Sequence, residues 1–268
     1  FSPASFVFPP AAYYRRDADV FSAGGYAESL VSVYSASIAL ARLFAACGVV
    51  PEGLVGFSGG DLGALALSGA FGAFPRAERL SFLKDMYLLS RKTVVGMPAP
   101  SGMSLDFEWL GKFKSDFRKF AKSWVKKTAT TPVYSCASSA PLSEKPRRSR
   151  DEAALIWTEP IHFDETIRRM HADGFRTFVE VGPRSVLTSL VRDALRGCEF
   201  CAICSNTIHR PGLVQFQHAL AQLAAFGAPV DTAPLFAGRQ TRLLDLSSPL
   251  SIEVKADSEM RLSRQFLS

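Results

Sequence analysis

Histidine is scarce in this sequence, with four in 268 residues. They stand at His162, His171, His209 and His218, and any chemistry that needs an imidazole must draw on these. Cysteine is little richer, at five. Cys201 and Cys204 form a close pair, but no second C-x-x-C accompanies them, so a four-thiolate metal site is not supported and no metal is expected. Unpaired thiols suit a reduced, cytoplasmic setting. Apolar runs are each broken within about a dozen residues by Gly, Pro, Ser or charge, short of the roughly 18 that span a bilayer, and no membrane role is expected. The opening FSPASFVFPP lacks a basic start, a long apolar stretch and a small-residue cleavage site, and no signal peptide is expected in it. It also lacks an initiator Met, and the chain reads as a piece of something longer. Nucleic acid is not an expected partner, because the net charge of +6 comes with no recognition motif.

An apolar fraction of 47% is enough for a full core. Much of the basic excess lies in KFKSDFRKFAKSWVKK, Lys112 to Lys127, and KPRRSR, Lys145 to Arg150. The first is amphipathic at helical spacing, with Phe113, Phe117, Phe120 and Trp124 near one side, facing a core or a neighbouring domain. Apolar runs at Ala4–Pro9, Gly53–Phe57, Pro132–Cys136, Phe175–Val181 and Phe200–Cys204 read as strands. Helical patterns cover Leu30–Cys47, Gly59 onward, Arg76–Leu89, Lys112–Lys127, Pro160–Ala172, Val186–Leu195 and Leu213–Phe226. Strands alternating with helices indicate an α/β fold with a mainly parallel sheet. One domain over 1–235 is expected, with a reduced insertion region near 93–110 and a flexible Ser-, Pro- and Arg-rich loop over 137–150. A wrapping tail over 236–268 follows.

The stretch LVGFSGGDLGALALSGA holds GFSGG at Gly56–Gly60. This is the G-x-S-x-G pattern placed between a strand and a helix, where glycines permit the tight turn of a nucleophile elbow. Ser58 is the candidate nucleophile; a helix-capping serine is the bland alternative. A serine hydroxyl needs a base within reach and donors aimed at the developing oxyanion. Of the histidines, His209 follows the strand ending at Cys204, where loops in α/β folds carry functional groups. It is the tentative base. Asp61, three residues beyond Ser58, suits the first turn of the helix better than the orienting of a histidine.

Four stretches resemble the acyltransferase domain of fatty acid, polyketide and polyunsaturated fatty acid synthases, of the malonyl-CoA:acyl carrier protein transacylase type. SVYSASIALARLFAACGVVPEGLVGFSGGDLGALALSGAFG, Ser32 to Gly72, is similar to the helix, strand and GHSxGE elbow. TPVYSCASS, Thr131 to Ser139, is similar to the PVYSNVTG strand and loop. Ile156 to Leu195, with FVEVGPRSVLTSLVR at its centre, resembles the closing segment, and PLFAGRQTRLLDL, Pro234 to Leu246, the wrapping tail. The resemblance implies an α/β-hydrolase-like core with a small ferredoxin-like subdomain, here reduced or missing. It implies a ping-pong transfer through an acyl-Ser58 intermediate, with the Gly59 backbone N–H in the oxyanion hole. Acyl-CoA and the phosphopantetheine of an acyl carrier protein would be substrates, no cofactor would be held permanently, and ketosynthase or other synthase domains would adjoin.

Departures from the family pattern are several. Phe57, a pocket residue, stands where the family's elbow has histidine. FVFPPAAYY, Phe6 to Tyr14, lacks the family's Gln-Gly. Leu83, Lys84 and Asp85 stand near the spacing of the carboxylate-binding Arg, with Arg79 and Arg91 out of register. Pro98 to Phe113 contains no AFHS histidine. The expectation is therefore an acyltransferase-like domain that is catalytically impaired and structural. Alternatives are an active transferase that does not prefer malonyl, with His209 as base, and a serine hydrolase using Ser58, Asp173 and His209.

Overall fold

The computed structural model describes residues 23–95, 97 and 106–238. The strand expected at Ala4–Pro9, the segment Phe6 to Tyr14, all of Pro98–Ser104 and the tail beyond 238 lie outside the described residues. Two compact units divide the chain, Phe1–Asp231 and Thr232–Ser268. In the second, Ala233–Phe236 form a 3-10 turn.

The first unit begins with α1 (Ala23–Ala46), followed by β1 (Leu54–Val55), α2 (Gly60–Leu67) and α3 (Arg76–Val94). Two helices, α4 (Phe107–Gly111) and α5 (Lys114–Trp124), lead to β2 (Val133–Ser135) and β3 (Ala140–Pro141). Next come α6 (Pro146–Leu155), α7 (Phe163–Ala172), β4 (Thr177–Glu180), α8 (Val186–Ala194), β5 (Cys201–Cys204) and α9 (Gly212–Ala225). The fold is mixed α/β with small open sheets. β1 pairs in parallel with β2, Leu54 opposite Val133, and β3 adds antiparallel to β2. β4 and β5 run parallel, from Thr177 opposite Cys201 to Glu180 opposite Cys204. The expected parallel pairings form, in two separate ladders. Between α3 and β2 the described residues hold helices and no strand, so the ferredoxin-like subdomain is reduced.

Each helix buries the stripe that its sequence spacing sets. On α3 the residues Phe82, Met86, Ser90 and Thr93 face inward, at the three- and four-residue spacing of one helical face. Phe82, fully buried, sits among the rings of Tyr34, Phe71, Phe74, Phe120 and Trp124, with centroids 5.1 to 5.7 Å away. The aromatic side of α5 thus faces the core: Phe117, Phe120, Ala121 and Trp124 are buried, and Phe117 stacks on Trp157 at 5.2 Å. Lys92, Lys114 and Lys126 lie outside this core and pair with Asp116, Glu159 and Glu78. A second cluster gathers Tyr134, Cys136, Phe163, Ile167, Phe178 and Leu195 around β2 and β4.

Two expectations differ from what is seen. The stretch 137–150 holds β3 and the start of α6, because Pro146 occupies the first helical turn where its missing N–H is harmless. Ala153 and Ala154 are buried, and Arg150 Nε donates to the Val125 carbonyl at 2.7 Å. Such tertiary anchoring is invisible in a composition rich in Ser and Arg. Second, the Gly25–Ala46 part of α1 is long and apolar enough, by length and composition only, to cross a membrane. Unbroken apolar runs are short here because Ser and Gly interrupt them, but these residues lower the mean hydropathy of the helix only slightly. Here α1 packs on α2 and α3, burying Ala27, Val31 and Tyr34 along one face.

Candidate active site at the Ser58 elbow

The turn from β1 into α2 is shaped by crowding. A Cβ on Gly56 would fall 2.1 Å from the Asp61 nitrogen and 2.3 Å from the Gly60 carbonyl carbon, a position only glycine can hold. A Cβ on Gly59 would meet Leu30 Cδ1 at 1.9 Å. Between them Ser58 is held at φ +55°, the left-handed region that non-glycine residues enter at a cost of about 1 kcal/mol or more. The turn is closed by Gly60 N–H to the Phe57 carbonyl (3.0 Å) and Asp61 N–H to the Ser58 carbonyl (3.1 Å). These bonds use the N–H groups beyond Gly59 and leave the Gly59 N–H outside them. The N-cap position of α2 falls on Gly59 rather than on Ser58.

The Tyr26 phenol, from the first turns of α1, faces the Ser58 hydroxyl as a hydrogen-bonding neighbour. Burial raises its pKa, and the contact with Ser58 only partly offsets that. The two side chains open onto a cavity of about 40 Å³, room for a few water molecules. Leu30, Met86, Leu110, Phe120, Trp157 and Ile161 supply much of its wall. Among the described lining residues Ser90 and Thr93 are polar, and none carries a charge.

Beneath the elbow lies Asp61, buried to 2%. Burial pushes its carboxyl up from the ordinary 3.8 to about 8, against the opposing effect of a hydrogen bond from the Gly56 backbone. Its Oδ1 has no partner. Cys136, just past β2, donates from Sγ to the Gly56 carbonyl at 3.1 Å. Its thiol is pushed up to about 12, by burial first and the Asp61 charge second. Phe57 is 38% exposed and meets the edge of Phe163 at 5.5 Å.

The structure brings none of the four histidines into the Ser58 cavity. His162 caps α7 at its N-terminus and lies 3.8 Å from Glu165. His171 Nε2 is 3.1 Å from the Glu199 carbonyl, and His218 rides on α9. His209 lines a different cavity, with Arg192, Arg210 and Gln222. Asp173 is committed elsewhere: Tyr134 Oη donates to it at 2.8 Å, and Arg169 Nε approaches both of its oxygens. The bond from Tyr134 and then those from Arg169 lower its pKa. Sequence reasoning missed Tyr26, 32 residues upstream on an apolar helix, and the burial of Asp61; neither carries a local signal.

No family model matches the chain. Over 135 residues, 45% of the chain, it is 32% identical to the spectinabilin polyketide synthase system protein NorA of Streptomyces orinoci, spanning 7% of that protein. It is 30% identical over 108 residues to the malonyl CoA-acyl carrier protein transacylase of Bacillus subtilis, covering 37% of the chain and 34% of that protein. The chain thus spans a small part of these relatives' length. The structure of the acyl transferase domain of ZmaA superposes with a TM-score of 0.69 at 12% identity, covering 91% of this chain and 69% of that one. The glycine-framed serine elbow, the paired strands and these relationships converge: the chain has the fold of acyltransferase domains and is similar in sequence to parts of polyketide synthases and of a malonyl CoA-acyl carrier protein transacylase.

Proposed function

We propose that the chain is a domain of a multidomain fatty acid or polyketide synthase that keeps the Ser58 elbow but not the means to activate it, and serves there as a structural member. The observation that carries this is the lining of the Ser58 cavity, which includes none of the four histidines. Acyl transfer requires Ser58 Oγ to attack a thioester carbonyl while its proton passes to the departing thiolate, and that proton needs a base. Tyr26 is the polar group facing Ser58, and a phenol with a raised pKa stays protonated near neutral pH. It orients the hydroxyl without removing its proton. Acyl carrier protein and an adjoining ketosynthase are the partners this reading assigns, in the cytoplasm, with no resident cofactor or metal.

A second reading draws on the strained φ of Ser58 and the apolar wall beside it. The elbow would take an uncharged acyl group from acyl-CoA, with Gly59 N–H as oxyanion donor. Malonyl would be disfavoured, because no described lining residue offers a cation to its carboxylate. The test is intact-protein mass after incubation with acetyl-, octanoyl- and malonyl-CoA, beside a Ser58→Ala control. The structural reading expects no added mass. An acyl adduct on the native protein that is absent from the control would overturn it in favour of the transferase. Release of free acid without a carrier protein would point to a hydrolase.

A further inference from the structure

A second cavity, of about 320 Å³, opens at the C-terminal end of β5. Open α/β sheets commonly bind ligands beyond the carboxyl ends of their strands. Arg192, Thr207, His209, Arg210, Gln215 and Gln222 line it, with Ala202 and Cys204. We infer that this cleft is an anion site that takes a phosphate ester of small organic size. The inference does not rest on any chemistry at Ser58.

The two guanidinium groups are held in place by neutral partners. Arg192 Nη2 donates to the Ala202 carbonyl at 3.4 Å. Arg210 Nη1 donates to Gln215 Oε1 at 2.9 Å. Gln215 is 4% exposed, and its Nε2 donates to the Cys204 carbonyl at 2.8 Å. The buried amide therefore cannot turn, and its oxygen stays aimed at Arg210. Elsewhere Arg148, Arg168, Arg169 and Arg196 are paired with carboxylates. In the cleft no described lining residue is acidic, so two positive charges converge on one space without a counter-charge.

Two guanidinium forks, with an imidazole and a hydroxyl beside them, offer more donors than a single carboxylate can take up, which suits an anion bearing three or more acceptor oxygens. The volume lies at the small end of the range for organic ligands and exceeds what a bare phosphate needs. An ester with an organic arm fits both facts. The arm's source could be a free phosphomonoester or a prosthetic arm carried on a protein.

The test is calorimetric titration of the full chain at low salt with 4′-phosphopantetheine, pantetheine and malonate. Phosphopantetheine should bind at least about 10-fold tighter than either of the others, and added salt should weaken it. Arg192→Gln and Arg210→Gln should each lose about 10-fold. Gln222→Glu, at an exposed position that needs no refolding of the Gln215 contact, should abolish binding by placing a carboxylate in the cleft. Titration with a phosphopantetheinylated carrier protein and its unmodified form assigns the source: preference for the modified carrier over the free ester identifies a protein-borne arm, and the reverse a free ester. Equal binding of pantetheine and its phosphate, tighter binding of malonate, or a Gln222→Glu protein that binds as well as the parent would overturn the assignment. None of these results depends on whether Ser58 becomes acylated.

Discussion

The buried Asp61 makes stability depend on pH in a direction opposite to that of most paired carboxylates. Its folded pKa, near 8, lies above the ordinary 3.8. Between those values the folded chain holds a proton there that the unfolded chain has released. Raising the pH therefore favours unfolding, at about 1.4 kcal/mol per pH unit. Across the whole window the loss is about 6 kcal/mol; below pH 4 and above pH 8 this residue adds no slope. The thiol that faces it, Cys136, has its own pKa pushed up to about 12 and stays neutral throughout. Asp61→Asn keeps the shape and the acceptor for the Gly56 bond but cannot ionise. Denaturant melts at half-unit steps from pH 5 to 7.5 should show the parent losing about 3 kcal/mol, or about 3–5 °C in Tm per pH unit. The variant should lose markedly less and be the more stable protein at pH 7.5. A parent whose stability is flat or rises over this range, or an Asn variant with the same slope, would refute a neutral, buried Asp61.

Other outcomes follow from the same contacts. Gly56→Ala should cost more than about 4 kcal/mol, because its Cβ would strike backbone 2.1 Å away. Gly60→Ala, whose Cβ meets nothing within 4 Å, should be neutral or stabilising by under about 1 kcal/mol; paired urea melts check both. Glu180 accepts bonds from Leu187 N–H (3.0 Å), Thr188 N–H (2.6 Å) and Thr188 Oγ1 (2.5 Å), capping α8 where Ser185 supplies no side-chain cap. Glu180→Ala should cost about 2 kcal/mol and Glu180→Gln less, as read by the same melts.

The elbow was legible because its cause is local. Three glycines around one serine, after LVGF and before an Ala-Leu helix, describe a turn that few other residues could make. The strands at β2, β4 and β5 were legible for a similar reason, each being a short apolar run bounded by Pro, Gly or charge. What depends on distant packing was not. Asp61 sits in a helix's first turn, where an acid ordinarily faces water; only the packing of α2 on α1, β1 and β2 makes it a buried acid. His209 follows a strand, as functional loops do, but that strand pairs with β4, while the elbow's strand pairs with β2. Sequence order could not say which ladder each strand would join. Tyr26 lay hidden because an apolar helix does not announce which turn will reach a serine 32 positions on.

The pairing of β1 with β2 also bears on how the protein is made. Leu54 and Val133 are opposite one another though 79 residues apart in the chain. A parallel pair so distant must close a long loop before any contact repays it, which slows folding. During synthesis the serine turn is translated well before the strand that props it. Until β2 emerges, β1 has no partner strand and the buried face of α2 lacks half of the ladder it packs on. A ribosome advancing at about 5–20 residues per second leaves that surface bare for several seconds. The interval is a window for chaperone capture or for aggregation, and synonymous changes that slow translation between residues 60 and 135 should lengthen it.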